Sequence, residues 1–130
     1  QTTLIQYPAG KAGSYTIPDT VTNIRDGALW NCHGLTSVMI PNGITSIQHE
    51  AFAACNRLTR VMIPRSITHI GAGAFDSCAS LKGVYFYGDA PNLDRGCSAF
   101  TGGKPIVYYL ADTTGWDTKF SGRPTMPWNP

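Results

Sequence analysis

Residues 38–60, VMIPNGITSIQHEAFAACNRLTR, are followed at once by VMIPRSITHIGAGAFDSCASLKG at residues 61–83. The stretch before them, YTIPDTVTNIRDGALWNCHGLTS, keeps the same step of 23 residues. Pro18, Pro41 and Pro64 form one column of the pattern, and Ile24, Ile47 and Ile70 another. Ala28, Ala51 and Ala74, then Cys32, Cys55 and Cys78, then Leu35, Leu58 and Leu81 complete it. A fourth unit opens at Val84 as VYFYGDAPNLDRG, and VYYL begins one period later at Val107. So many columns at one period identify a repeat array, and the repeat decides the architecture.

Each unit reads as one coil of a solenoid. In Leu35-x-x-Val38-x-Ile40 the alternation turns Val38 and Ile40 to one side and Met39 to the other, as in a short strand. Leu58, Val61 and Ile63 repeat it, as do Leu81, Val84 and Phe86. Pro41 and Pro64 end these strands because proline cannot donate to a ladder. Ile44 to Ile47 and Ile67 to Ile70 form a second apolar segment, and Ala51-Phe52 and Ala74-Phe75 read as a compact, short helical turn. One such coil cannot bury its own apolar side, whereas stacked coils can.

The pattern V-x-I-P-x-x-[IV]-T-x-I-x-x-x-A-F-x-x-C-x-x-L resembles the 23-residue leucine-rich repeats of bacterial surface proteins, the BspA-like group. The resemblance covers residues 14–102. It implies an α/β leucine-rich-repeat solenoid of about four coils, and a role in bacterial adhesion or in host and matrix contact. The first copy departs from the pattern with Leu29 in place of Phe, and in the fourth the pair Ala99-Phe100 comes two residues late with no cysteine after it. The end, VYYLADTTGWDTKFSGRPTMPWNP, also resembles the segment that closes such arrays. An open solenoid end exposes apolar side chains and strand edges, and Trp116, Phe120 and Trp128 are bulky enough to cover one. The expected organisation is a single domain: residues 1–13 an irregular cap with Leu4, Ile5 and Tyr7 inward, 14–102 the repeats, and 103–130 a last strand and cap. Gln1 in place of an initiator Met fits a processed, secreted chain or a cloned fragment.

Composition agrees with many short elements. Charged residues are 14% of the 130, against roughly 25% in an average chain. Fourteen Gly and nine Pro favour turns over long helices. A formal net charge of +2 gives no case for nucleic acid or an acidic membrane as partner, and no apolar run approaches the ~20 residues of a membrane span. Three of the four cysteines share a column, where parallel side chains do not suit the ~90° disulfide torsion. They read as buried thiols, with one bridge left open. Cys97 falls in the Ala28 column and reads as core. No C-x-x-C spacing points to zinc, and no cofactor or metal is expected.

Catalytic signatures are absent: no G-x-S-x-G, H-E-x-x-H, P-loop or Rossmann fingerprint occurs. The best acid–base candidates are Asp26, His49 and Glu50, since Asp26 and His49 are one period apart and Glu50 is the only Glu. Capping and solvating a loop is the commoner role for such residues. The outward side of the strands is more telling. It carries Thr16, Met39, Met62, Tyr85 and Tyr108, one per coil, beside Ser37, Arg60 and Gly83, with Tyr87 extending the aromatic end. An exposed apolar row marks a contact surface, although cross-strand pairing alone would also stabilise it. The candidate binding residues are therefore Met39, Arg60, Met62, Tyr85, Tyr87 and Tyr108. The expected function is a non-catalytic recognition module, secreted or at the cell surface and monomeric, that binds a protein or polysaccharide through this face. A polysaccharide hydrolase built on Asp26, His49 and Glu50 and a structural spacer are the rival readings.

Overall fold

The computed structural model describes residues 13–94 and 98–130, and the backbone of residues 2–4. The side chains of Leu4, Ile5, Tyr7 and Cys97 lie outside the described residues. The alternation that opens each unit forms β2 (Gly13–Thr16), β4 (Leu35–Met39), β6 (Arg60–Ile63), β8 (Gly83–Phe86) and β10 (Ile106–Leu110). The second apolar segment of each unit gives β3 (Val21–Ile24), β5 (Ser46–Ile47), β7 (His69–Ile70) and β9 (Asn92–Leu93), with β1 (Thr2–Leu4) beside β3. The C-terminal segment adds β11 (Lys119–Phe120) and β12 (Arg123–Trp128).

The main sheet runs β11-β12-β10-β8-β6-β4-β2, and a smaller one runs β5-β7-β9. All pairings are parallel except β11 with β12, because every strand enters its coil in the same sense. Between them lies a core built of the repeat columns. Ile17, Ile40, Ile63 and Phe86 are buried, as are Val38, Val61, Val84 and Val107. Phe52 and Phe75 stack with centroids 5.1 Å apart, and Phe75 and Phe100 at 5.6 Å. Phe100 thus keeps its place in the stack although it comes two residues late. No polar or charged side chain is buried among the described residues, so the interior is held by apolar burial and by ladders between coils.

The helical component expected of the return segments does not form, and the fold is a β-solenoid rather than α/β. Among the described residues there is no helix. The reason lies in where the backbone groups go. The Phe52 N–H donates to the Ala74 carbonyl at 2.8 Å and the Ala54 N–H to the Asp76 carbonyl at 2.7 Å, both on the next coil. Donors committed to a neighbouring coil cannot close the i→i−4 rings of a helix. Each return segment is also bracketed by left-handed residues, Gly27, Glu50 and Gly73 at its start and Asn31, Ala54 and Ser77 at its end. Each set keeps the 23-residue step, and together they fix two sharp corners per coil.

Phe120 caps the last coil from inside, with Trp116 packed beside it, both against Phe86. Trp128 is different. It stands edge-on to Tyr85 and Tyr87 at centroid distances of 5.0 and 5.6 Å, on the outward side of the sheet. The aromatic cap expected at the solenoid end is therefore made by Trp116 and Phe120, and Trp128 joins the outer face.

Candidate binding face

The register of the main sheet sets Thr16 beside Met39, Met39 beside Met62, Met62 beside Tyr85, and Tyr85 beside Tyr108. Outward alternation places all of them on one face, with Met39 half exposed beside inward Val38 and Ile40 at 2% and 3%. The row ends one strand further on at Met126, which pairs with Tyr108. Tyr85 and Tyr108 stack at 4.7 Å and 7°, the spacing of neighbouring strands. One face of each ring is therefore covered by the other. Cross-strand pairing accounts for this part of the row. Met39 and Met62 are register neighbours as well, and they also line a groove.

Met39 and Met62 border a groove of about 270 Å³ at the C-terminal ends of the strands, completed by Tyr87, Leu110, Asn42 and Arg65. Its lining is mainly apolar, with Arg65 at the rim. Arg60 lies one row away, between Ser37 and Gly83 in the register. A Cβ on Gly83 would lie 2.9 Å from the Tyr85 hydroxyl oxygen, so that phenol reaches along its strand into the row of Arg60. The face thus holds an apolar groove at one edge and a polar row at the other, joined by the Tyr85–Tyr108 stack.

The proposed acid–base trio is only partly assembled. His49 Nε2 lies 3.5 Å from Glu50 Oε1, with both side chains half exposed. Among the described residues no ion pair joins Asp26 to either. Asp26 lines a shallow polar depression with Asn23, Arg25 and Gln48 instead. The closer histidine–carboxylate pair is His69 Nε2 with Asp94 Oδ1 at 2.8 Å. Asp94 Oδ2 also accepts the Ala72 N–H at 2.8 Å, and that hydrogen bond, with His69 second, holds its carboxyl below the usual range. Asp94 ties two coils together. Among the described residues no group of three or more His, Cys, Asp and Glu is placed to hold a metal.

Cys32, Cys55 and Cys78 are buried. The Cys55 thiol donates to the Leu29 carbonyl at 3.0 Å and the Cys78 thiol to the Phe52 carbonyl at 3.1 Å. Burial pushes both up to about 12, which leaves them unreactive as nucleophiles.

Sequence reasoning found Met39, Met62, Tyr85 and Tyr108 because one column carries them all. It missed Met126, Leu110, Arg65 and Trp128. Met126 and Trp128 sit on β12, whose RPTMPW carries two prolines and argues against a paired strand by composition. The offset from Tyr87 to Leu110 is one period, and that signal was there to be read.

The family model described as BspA type leucine rich repeat region (6 copies) matches residues 9–104. The chain belongs to the BspA-type leucine-rich repeat family. Among solved structures, this BspA-type domain is similar to the pneumococcal vaccine antigen PcpA, at 22% identity and a TM-score of 0.67, over 83% of this chain and 27% of that one. It is also similar to a leucine rich cell surface protein from Faecalibacterium prausnitzii A2-165, at 24% identity and a TM-score of 0.52, over 82% of this chain and 35% of that one. The BspA-type domain thus spans about a third or less of the length of either. None of the curated proteins matches it.

Proposed function

We propose that the domain is a non-catalytic recognition module that binds a protein or polysaccharide through the outward face of its main sheet. The observation that carries this is the groove bordered by Met39, Met62, Tyr87 and Leu110. Core packing does not need these outward side chains, and a solenoid binds on such continuous faces. A surface or secreted setting takes its lead from the neighbours described as a vaccine antigen and as a cell surface protein. The aromatic closure by Trp116 and Phe120 covers the last coil and favours a monomer.

The test is co-sedimentation of the purified chain with insoluble polysaccharides and bead-coupled matrix proteins, with the supernatants assayed for released reducing sugar. Binding without release, lost in Met62→Asp and in Tyr87→Ala, is the expected result. Binding that survives Met62→Asp, Tyr87→Ala and Tyr85→Ala/Tyr108→Ala overturns the reading. Sugar release that disappears in Glu50→Gln replaces it with a hydrolase.

A further inference from the structure

Six of the eight Lys and Arg side chains in the described regions gather along one edge of the main sheet: Arg57, Arg60, Lys82, Lys104, Lys119 and Arg123. The register explains how. Arg60 and Gly83 are paired, Gly83 pairs with Ile106, and Pro124, beside Arg123, pairs with Lys119. Lys82 and Lys104 sit just before β8 and β10. All are exposed except half-buried Arg123, whose Nε donates to the Pro105 carbonyl at 2.9 Å.

None of the six is in an ion pair: the two ion pairs among the described residues both use histidine. Of the carboxylates in this region, Asp76 accepts the Thr101 N–H at 2.8 Å and Asp117 the Thr118 N–H at 2.8 Å. A chain with a net charge of only +2 therefore concentrates uncompensated positive charge along one edge. Between the cations lies an open concavity of about 630 Å³ whose lining includes Thr59, Ser80, Lys82, Gly103 and Lys104.

We propose that this edge binds an acidic polysaccharide, one bearing carboxylate or sulfate groups on its sugars. The proposal rests on the recognition reading above and names its partner. Three features favour this occupant. Arg60 on β6, with Lys82 and Lys104 just before β8 and β10, puts a cation on or beside each of three neighbouring strands that lie roughly 5 Å apart, a rise comparable with one sugar per strand. Hydroxyls are interleaved with them: Thr59, Ser80, and the phenol of Tyr85 over Gly83. The row of Arg60 continues to Ser37, whose Oγ donates to Ser14 Oγ at 2.8 Å. A polymer that mixes anionic groups with hydroxyls meets both kinds of partner. Stacking covers one face of each of Tyr85 and Tyr108, which leaves less aromatic surface for the bases of single-stranded nucleic acid.

The experiment measures retention of the chain on immobilised dextran sulfate, polygalacturonate and uncharged dextran, at rising ionic strength. Retention on the two charged matrices and not on dextran is expected, weakening as salt screens the contacts. Arg60→Ala/Lys82→Ala/Lys104→Ala lowers it about tenfold or more, whereas Arg25→Ala, on a different side, leaves it unchanged. The three altered side chains are exposed, and an unchanged melting temperature confirms that the variant folds.

Equal retention on dextran, no retention on any of the matrices, or an unaffected triple variant overturns the proposal. So does tighter binding of polyglutamate or single-stranded DNA. None of these outcomes touches the groove at Met62 and Tyr87, whose own substitutions decide the strand-face reading.

Discussion

Tyr85 lays its phenol over Gly83, two residues back on the same strand, so closely that a Cβ there would lie 2.9 Å from both Cε1 and the hydroxyl oxygen. Glycine at this position is what lets the ring lie along its strand while it stacks on Tyr108. Gly83→Ala therefore displaces a flexible side chain rather than backbone, and the stability change stays within about 1 kcal/mol. The Tyr85–Tyr108 stack is disturbed, seen as a change in near-ultraviolet circular dichroism, together with weaker partner binding. Gly71→Ala is the contrast. Its Cβ would lie 2.7 Å from the backbone N of His49, which cannot yield, and a loss of roughly 1–3 kcal/mol is expected. Equal melting temperatures for the two variants would contradict this assignment.

Glu50 occupies a corner at φ 54°, where its column neighbours Gly27 and Gly73 are glycine at φ 66°. A residue with a Cβ costs roughly 1–2 kcal/mol in that region, and glycine returns part of the relief through the freer unfolded chain, about 0.4–1 kcal/mol. Glu50→Gly is thus expected to stabilise the fold by about 0.5–1 kcal/mol and to raise the melting temperature by ~2–4 °C. The substitution also removes the exposed His49–Glu50 ion pair, which is worth little. A lowered melting temperature would show that the Glu50 side chain contributes more than its backbone costs.

Side chains at fixed repeat positions were readable from the sequence because every coil imposes the same environment on them. Val38, Val61, Val84 and Val107 are buried as the alternation requires, and Met39 and Met62 face outward. The return segments were not. Ala51-Phe52 resembles a helical turn by composition, and only the Phe52 N–H donating to the Ala74 carbonyl of the next coil reveals a ladder instead. The same limit hid the His69–Asp94 pair. Asp94 lies two residues beyond Asn92, the register partner of His69, so a 23-residue offset does not lead from one to the other. Charge clustering escaped notice because net charge averages over the surface, and it took the register to set Arg60, Lys82 and Lys104 along one edge.

The buried cysteine column predicts chemical silence. With Cys55 and Cys78 pushed up to about 12 by burial, neither is a thiolate to any useful extent at pH 8. In a Cys97→Ser background, the native chain is expected to react negligibly with a water-soluble aromatic disulfide. In denaturant all three of Cys32, Cys55 and Cys78 react. Rapid labelling of the native chain would mean that the return segments open far more readily than their ladders imply.

Asp94 gives the fold a pH dependence with a definite sign. The Ala72 N–H, and after it His69, favour the carboxylate and lower its pKa from the ordinary 3.8. A group depressed in this way binds its proton more weakly in the folded chain than in the unfolded one. Its contribution is therefore present above pH 3.8 and is lost as pH falls through the lower folded value. Asp94→Asn is expected to melt earlier than the parent at neutral pH. The gap should close as acid protonates Asp94 in the parent, since both chains then carry a neutral side chain over Ala72. Thermal melts of the pair across the acid range measure that gap. A gap that persists unchanged into strong acid would mean that shape rather than charge holds this junction between coils.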